Sequence, residues 1–130
     1  MKVRKAVVVA AGLGTRMLPA TRVIPKEILP VVDRPAIQVV VEEAMASGIE
    51  EIVIVVAPGR SVVLDHFAPV PELERHLEER GKRDLLALVR SIATMTQITR
   101  ADQNQPLGLG HAVLQARAAI GEEPFAVLLP

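Results

Sequence analysis

The sequence predicts an α/β protein, a three-layer sandwich around a mainly parallel sheet. Three observations carry that prediction. Two uninterrupted apolar runs, residues 6–11 (AVVVAA) and the IVIVV within residues 51–57, read as strands buried on both faces. Between them, Ile37, Val40, Val41, Ala44 and Met45 recur at helical spacing. Strand, long loop, helix and strand then make a βαβ unit, with parallel strands and a right-handed crossover.

The first strand closes at Gly12. The helix over residues 35–47 has Pro35 for its first turn, where a missing N–H is no loss, and Gly48 as its stop. Pro58-Gly59 ends the second strand. Residues 72–90 hold ten charged side chains, five of each sign, among Leu73, Leu77, Leu85, Leu86, Leu88 and Val89. That mixture predicts two amphipathic helices broken near Gly81, with the charge on the wet face. Residues 95–100 predict a strand, and Leu109, Val113, Ala116 and Ile120 a further helix. Residues 125–129 begin a last apolar strand, which runs into Leu129-Pro130 with no turn or polar tail after it. It reads as interrupted, so the expectation is one part of a longer single domain, without internal repeats or linkers.

Composition narrows the function. Fifteen Lys plus Arg balance fifteen Asp plus Glu, and the only aromatics are two Phe, which argues against a nucleic-acid module. With no cysteine there is no disulfide framework, thiol nucleophile or Cys-based zinc site. The apolar run after Met1-Lys2-Val3-Arg4-Lys5 is too short to span a membrane and does not read as a signal peptide. The expected location is the cytoplasm. The neutral total hides an asymmetry: residues 1–34 carry seven basic residues (Lys2, Arg4, Lys5, Arg16, Arg22, Lys26, Arg34) against Glu27 and Asp33. A positive field around one loop suits a small anionic ligand.

The loop between Ala11 and Pro35 exceeds twenty residues and has no clear period, a length that usually signals function. Gly12 and Gly14, directly after a buried strand, allow backbone N–H groups to approach phosphate oxygens. Arg16 can fork onto two such oxygens, and Lys26 supplies a compact charge. Pro19, Pro25 and Pro30 restrict the loop before binding. A dinucleotide fingerprint is excluded because Met17 stands where its third glycine would be, and no P-loop pattern is present. His66 and His76 have no metal-ligand spacing and read as surface or boundary histidines; Asp65 and Asp84 lack partners.

Ala11-Gly12-Leu13-Gly14-Thr15-Arg16-Met17-Leu18-Pro19, followed by Ile24-Pro25-Lys26-Glu27-Ile28-Leu29-Pro30, resembles the signature of the sugar-1-phosphate nucleotidylyltransferases. Asp33-Arg34-Pro35-Ala36-Ile37-Gln38 and Gly108-Leu109-Gly110-His111-Ala112-Val113 extend the match, which runs in order through the chain. Within the family it is most similar to the bacterial branch that uses UTP and α-D-glucose 1-phosphate. The resemblance implies a Rossmann-like nucleotidyltransferase sheet, of which residues 1–130 are the N-terminal, nucleotide-binding part. It implies uridylyl transfer that gives UDP-glucose and pyrophosphate, with Mg²⁺ as cofactor, in a homo-oligomer (dimer or tetramer) that binds neither nucleic acid nor membrane.

Residue by residue, the resemblance implies that Arg16 and Lys26 are catalytic, Arg16 at the departing pyrophosphate and Lys26 beside the α-phosphate. Ala11, Gly12 and Gly14 would shape the nucleotide pocket, Gly14, Thr15 and Arg16 hold the triphosphate, Gln103 read the uracil edge, Gly108 let the base lie on the backbone, and His111 sit near the nucleotide. Arg22 and Ile28 stand where the family usually has Lys and Met, and Asp102 where a basic residue is common. The family's metal-binding aspartate follows a Leu-Pro pair like Leu129-Pro130, so no metal ligand is expected within this chain, and residues 1–130 alone are expected to be inactive. Two alternatives stay open: a sibling activity with dTTP or another sugar phosphate, and a nucleotide-binding regulatory module without catalysis.

Overall fold

A computed structural model describes all of residues 1–130. In chain order the elements are β1 (Lys5–Ala10), two 3-10 turns (Thr15–Met17 and Lys26–Ile28), β2 (Pro30–Val31), β3 (Arg34–Pro35), α1 (Ala36–Ala46), β4 (Glu51–Val56), α2 (Val62–Asp65), α3 (Pro71–Glu79), α4 (Arg83–Ala93), β5 (Gln97–Asp102), α5 (Leu109–Leu114), α6 (Arg117–Ile120) and β6 (Phe125–Leu128).

Four strands form one parallel sheet in the order β5-β4-β1-β6, and β2 and β3 pair separately as a small antiparallel hairpin. Lys5 lies level with both Glu51 and Phe125, Ala10 with Val56, and Val56 with Asp102. All four carboxyl ends therefore share one edge of the sheet. The chain moves outward from β1 to β4 and β5, then returns to place β6 on the free side of β1. Such a reversal opens a crevice at the carboxyl edge between β1 and β6, where open α/β sheets take their ligands.

The alternation of side chains along each strand makes the layers. Val8, Ala10, Ile52, Ile54 and Val56 face one way and pack with Ile37, Val41 and Ala44 of α1 and with Val63 and Phe67. Val7, Val53 and Val55 face the other way, against Ala112, Ala116 and Ile120 of the α5–α6 segment. Each fully buried Val or Ile contributes about 1.5–3 kcal/mol. The predicted three-layer α/β architecture is the one observed.

Several boundaries differ from the sequence reading. Pro35 keeps an extended conformation (ψ 146°) and pairs with Pro30, so α1 begins one residue later. The helix expected through residues 109–120 is divided at Gln115 and Ala116 into α5 and α6. The strand expected from residue 95 starts at Gln97. The long loop is not irregular throughout: it holds both 3-10 turns and the hairpin, whose exposed Val32 sits at φ 61°, a strained angle for a β-branched residue. The α3–α4 pair does form around Gly81, but only Leu77 and Leu86 of its apolar stripe are buried.

Candidate functional site

Three segments meet the carboxyl edge of the sheet: the loop after β1, the turn after β5, and the Leu129-Pro130 end after β6. The first begins at buried Ala11 and exposed Gly12. Gly14 then adopts the left-handed conformation (φ 64°), and a Cβ built there would lie 3.1–3.3 Å from Thr21. Backbone angle and close approach both require glycine at this position. The Thr21 hydroxyl, itself buried, donates to the Gly14 carbonyl at 2.6 Å and pins the turn. Met17 N–H donates to the same carbonyl at 3.0 Å, closing the 3-10 turn that carries Thr15 and Arg16.

Arg16 is exposed and makes no ion pair. Lys26 opens the second 3-10 turn, which packs against α1 and α2 and is anchored to the core by Ile28. Its ammonium donates to the Pro130 carbonyl at 2.8 Å, spanning the crevice between β1 and β6, and lies 3.6 Å from Glu27 Oε1. Gly14, Thr15, Arg16, Met17 and Lys26 surround an open cavity of about 360 Å³. Two cations and a glycine turn suit an anion with several oxygens.

A second cavity, about 330 Å³, lies between Ala11 and Gly12 on one side and Gln103, Gly108 and Leu109 on the other. Gln103 is buried, and its N–H donates to the Val56 carbonyl at 2.9 Å, which ties it to the end of β4. Its side-chain Nε2 donates to the Gly108 carbonyl at 3.2 Å and lies 3.0 Å from His111 Nδ1. Gly108 has φ 103°, and no heavy atom comes within 4 Å of the place a Cβ would occupy. Glycine there serves the backbone angle and leaves the wall flat enough for a planar ring. Gly12 borders the second cavity, and Gly14, two residues on, borders the first.

Eight of the nine residues singled out from sequence thus line one of the two cavities: Ala11, Gly12, Gln103 and Gly108 in one, Gly14, Thr15, Arg16 and Lys26 in the other. The ninth, His111, stands behind Gln103 and lines neither cavity. The positive field expected around one loop is narrower than the charge count suggested. Lys2, Arg4 and Lys5 lie at the opposite edge of the sheet, paired with Glu50, Glu51 and Glu123. Arg34 is held by Asp33 and Glu42. Only Arg16, Arg22 and Lys26 remain on the loop itself.

Sequence reasoning missed two residues of this site. Thr21 gave no local signal, since its role depends on a carbonyl seven residues away. Glu27 is fully buried, and neither of its carboxylate oxygens has a hydrogen-bond partner. A buried carboxylate left so is costly, and its nearest counter-charge is Lys26. The signal available was its place beside Lys26 in the Pro-Lys-Glu run.

His66, read as an ordinary boundary histidine, is part of a brace. Its Nε2 lies 2.8 Å from Gln38 Oε1, Gln38 donates to Glu42 at 2.8 Å, and Glu42 accepts from Arg34 at 3.0 Å. This chain ties α1 to the β2–β3 hairpin, and burial holds the His66 imidazole below its usual pKa. No group of three or more His, Cys, Asp or Glu side chains comes together to hold a metal ion. These residues do not form a Mg²⁺ cage.

The nucleotidyl transferase family model matches residues 5–130. UTP–glucose-1-phosphate uridylyltransferase of Bacillus subtilis (strain 168) is 56% identical over 128 residues, which are 98% of this chain and 44% of that protein. The enzyme of the same name from Streptococcus pneumoniae is 54% identical over 98% of this chain and 42% of its own length. A solved structure described as UTP-bound UGPase from Acinetobacter baumannii superposes with a TM-score of 0.95 at 49% identity, covering 99% of this chain and 46% of that one. The chain therefore spans less than half the length of the relatives it matches.

Proposed function

The chain belongs to the nucleotidyl transferase family, and on that footing we propose that it grips UTP during uridylyl transfer to α-D-glucose 1-phosphate. The observation that carries this reading is the pairing of two cavities along one glycine turn. One is flanked by unpaired Arg16 and by Lys26; the other is walled by backbone, by the apolar side chains of Val9, Pro106, Leu109 and Ala112, and by a single buried amide, Gln103. A triphosphate fits the first and a pyrimidine ring the second. The UTP-bound relative, with the same fold over 99% of this chain, favours that ligand.

In the proposed reaction a phosphate oxygen of the sugar attacks the α-phosphorus of UTP. The bond between that phosphorus and the bridging α–β oxygen breaks, and pyrophosphate leaves on the opposite side. Two polyanions must meet, so positioning and charge neutralisation outweigh proton chemistry. Arg16 stabilises the negative charge that gathers on pyrophosphate. Lys26 holds the α-phosphate and the incoming phosphate together. Backbone N–H groups around Ala11, Gly12 and Gly14 complete the cradle with Thr15, Gly108 supports the face of the base, and Gln103 reads its edge. Mg²⁺ stays in the proposal as a companion of the nucleotide, held by groups other than those described. A cytoplasmic location and a homo-oligomeric state, dimer or tetramer, are proposals resting on the family resemblance, as is the place of residues 1–130 in one nucleotidyltransferase domain.

The test is pyrophosphate release by the complete polypeptide. UTP with glucose 1-phosphate should exceed dTTP, and N-acetylglucosamine 1-phosphate, by about tenfold or more in kcat/KM. Higher values with either competitor would assign a sibling activity. UTP binding without pyrophosphate release would assign a non-catalytic nucleotide-binding module.

A further inference from the structure

We infer that His111 selects the nucleobase without touching it, by locking the Gln103 amide so that only its oxygen is offered to the cavity. The inference rests on the nucleotide reading above and names a positioning residue for it. A backbone carbonyl can only accept, so the Gln103 atom 3.2 Å from the Gly108 oxygen must be the NH₂ group. That same nitrogen lies 3.0 Å from His111 Nδ1, which must therefore accept as well. The imidazole then carries its proton on Nε2. Beside Nε2, at 3.3 Å, is the side-chain amide nitrogen of half-buried Gln115, which also donates to the His111 carbonyl at 3.0 Å, so this amide can turn its oxygen to the proton by giving up that bond. Gln103 is buried and has no such freedom.

Both amide hydrogens of Gln103 are thus committed, while its Oε1 accepts nothing from the protein and is not sealed from solvent. Gln103 lines the cavity and His111 does not. The edge presented to a base is then an acceptor alone. Uracil or thymine, with a donor N3–H, can pair with it. Cytosine, with a lone pair on N3, meets it oxygen against nitrogen. Without His111, one hydrogen of the amide is released and only the Gly108 carbonyl opposes a flip that would suit cytosine.

The experiment compares kcat/KM for UTP and CTP in the complete polypeptide. His111→Ala should lower the UTP-over-CTP ratio about tenfold, mainly through a higher KM for UTP, with its kcat changed less than about threefold. His111→Gln restores an acceptor for the Gln103 NH₂ and should keep the ratio within about threefold of the original. A ratio unaltered in His111→Ala, with UTP turnover intact, overturns the inference. Nitrogen-15 NMR of the unaltered protein at about pH 8 reads the tautomer directly. A proton on Nε2 supports the lock, and a proton on Nδ1 overturns it even if a variant fails to fold. If the unaltered protein turned over neither nucleotide, the functional reading would fall, and base selection with it.

Discussion

At the amino ends of the strands, Arg4 reaches Glu123 at 2.6 Å and Glu51 at 2.8 Å, while Lys2 lies 3.4 Å from Glu50. Buried Lys5 donates to the Ala119 and Ile120 carbonyls at 3.3 and 3.1 Å, and has Glu123 and Glu51 close by. At the carboxyl ends, Arg16 and Arg22 meet no carboxylate, and Lys26 shares one buried glutamate and one carbonyl. The same residue types, both ends drawn largely from the first quarter of the chain, serve opposite purposes. Cations answered by carboxylates close the fold, and the Arg4 guanidinium is accordingly raised above its ordinary pKa by Glu123 and Glu51. Arg16 and Arg22, left unanswered on the loop, are available to an anion from outside with no internal partner to displace, and Lys26 reaches one by giving up the Pro130 carbonyl.

The largest effect should come from the unanswered end. Arg16→Ala and Lys26→Ala in the complete polypeptide should each lower kcat by about 10²–10³, the loss usual for a removed electrostatic donor. The thermal unfolding midpoint of Arg16→Ala should stay within a few degrees of the original, since that side chain has no partner in the fold, whereas Lys26→Ala should lower it further because buried Glu27 loses its nearest counter-charge. Near-normal turnover in both would erase the contrast between the two edges.

Lys5→Met should show the converse. It strands two carbonyls at the end of α6 and leaves Glu51 and Glu123 short of a partner, so stability should fall by about 1–3 kcal/mol in urea unfolding. Turnover per folded molecule should not change. A loss of kcat without a loss of stability would mean that this edge also takes part in the reaction.

The smallest effect is an acid one. Hydrogen bonding from Arg4, then Lys5, holds the Glu123 carboxyl below its ordinary value in the folded state. Below the unfolded carboxylate value of about 4.3 the unfolded chain binds the extra proton more readily, so this stabilisation is present above that pH and lost as pH falls through the folded value. His66 also has a lowered value, from burial, and its contribution declines from about pH 6.5 downward. Arg4→Ala should flatten only the lower window of a midpoint-against-pH curve and leave the upper one in place. Flattening of both would mean that Arg4 is coupled to more than Glu123.

Much of the architecture follows from local pattern. Runs such as AVVVAA and IVIVV cannot satisfy a period of 3.6 with a polar side, so they become strands covered on both faces, and helices must supply the cover. The glycine turn was equally legible, because Gly12 and Gly14 after a buried strand, then Arg16 and Lys26, form a local chemical unit. Boundaries slipped where tertiary packing overrode the apolar period, as at Gln115, where the last helix divides. The charge count misled for a related reason: position in the chain says nothing about which edge of a parallel sheet a residue will occupy. Lys5 and Arg16 are eleven positions apart and stand at opposite ends of one strand.

What the amino-acid order determined alone was the main strands and helices and the chemistry of the loop, since both depend on neighbours within a turn or a strand. Only the tertiary structure decided that Glu27 is buried without a hydrogen-bond partner, that Thr21 pins Gly14, and that His111 stands behind Gln103. These are matters of which donors and acceptors find each other across the fold. Hydrogen bonding acts over about 3 Å whatever the separation along the chain, so no local period can announce it.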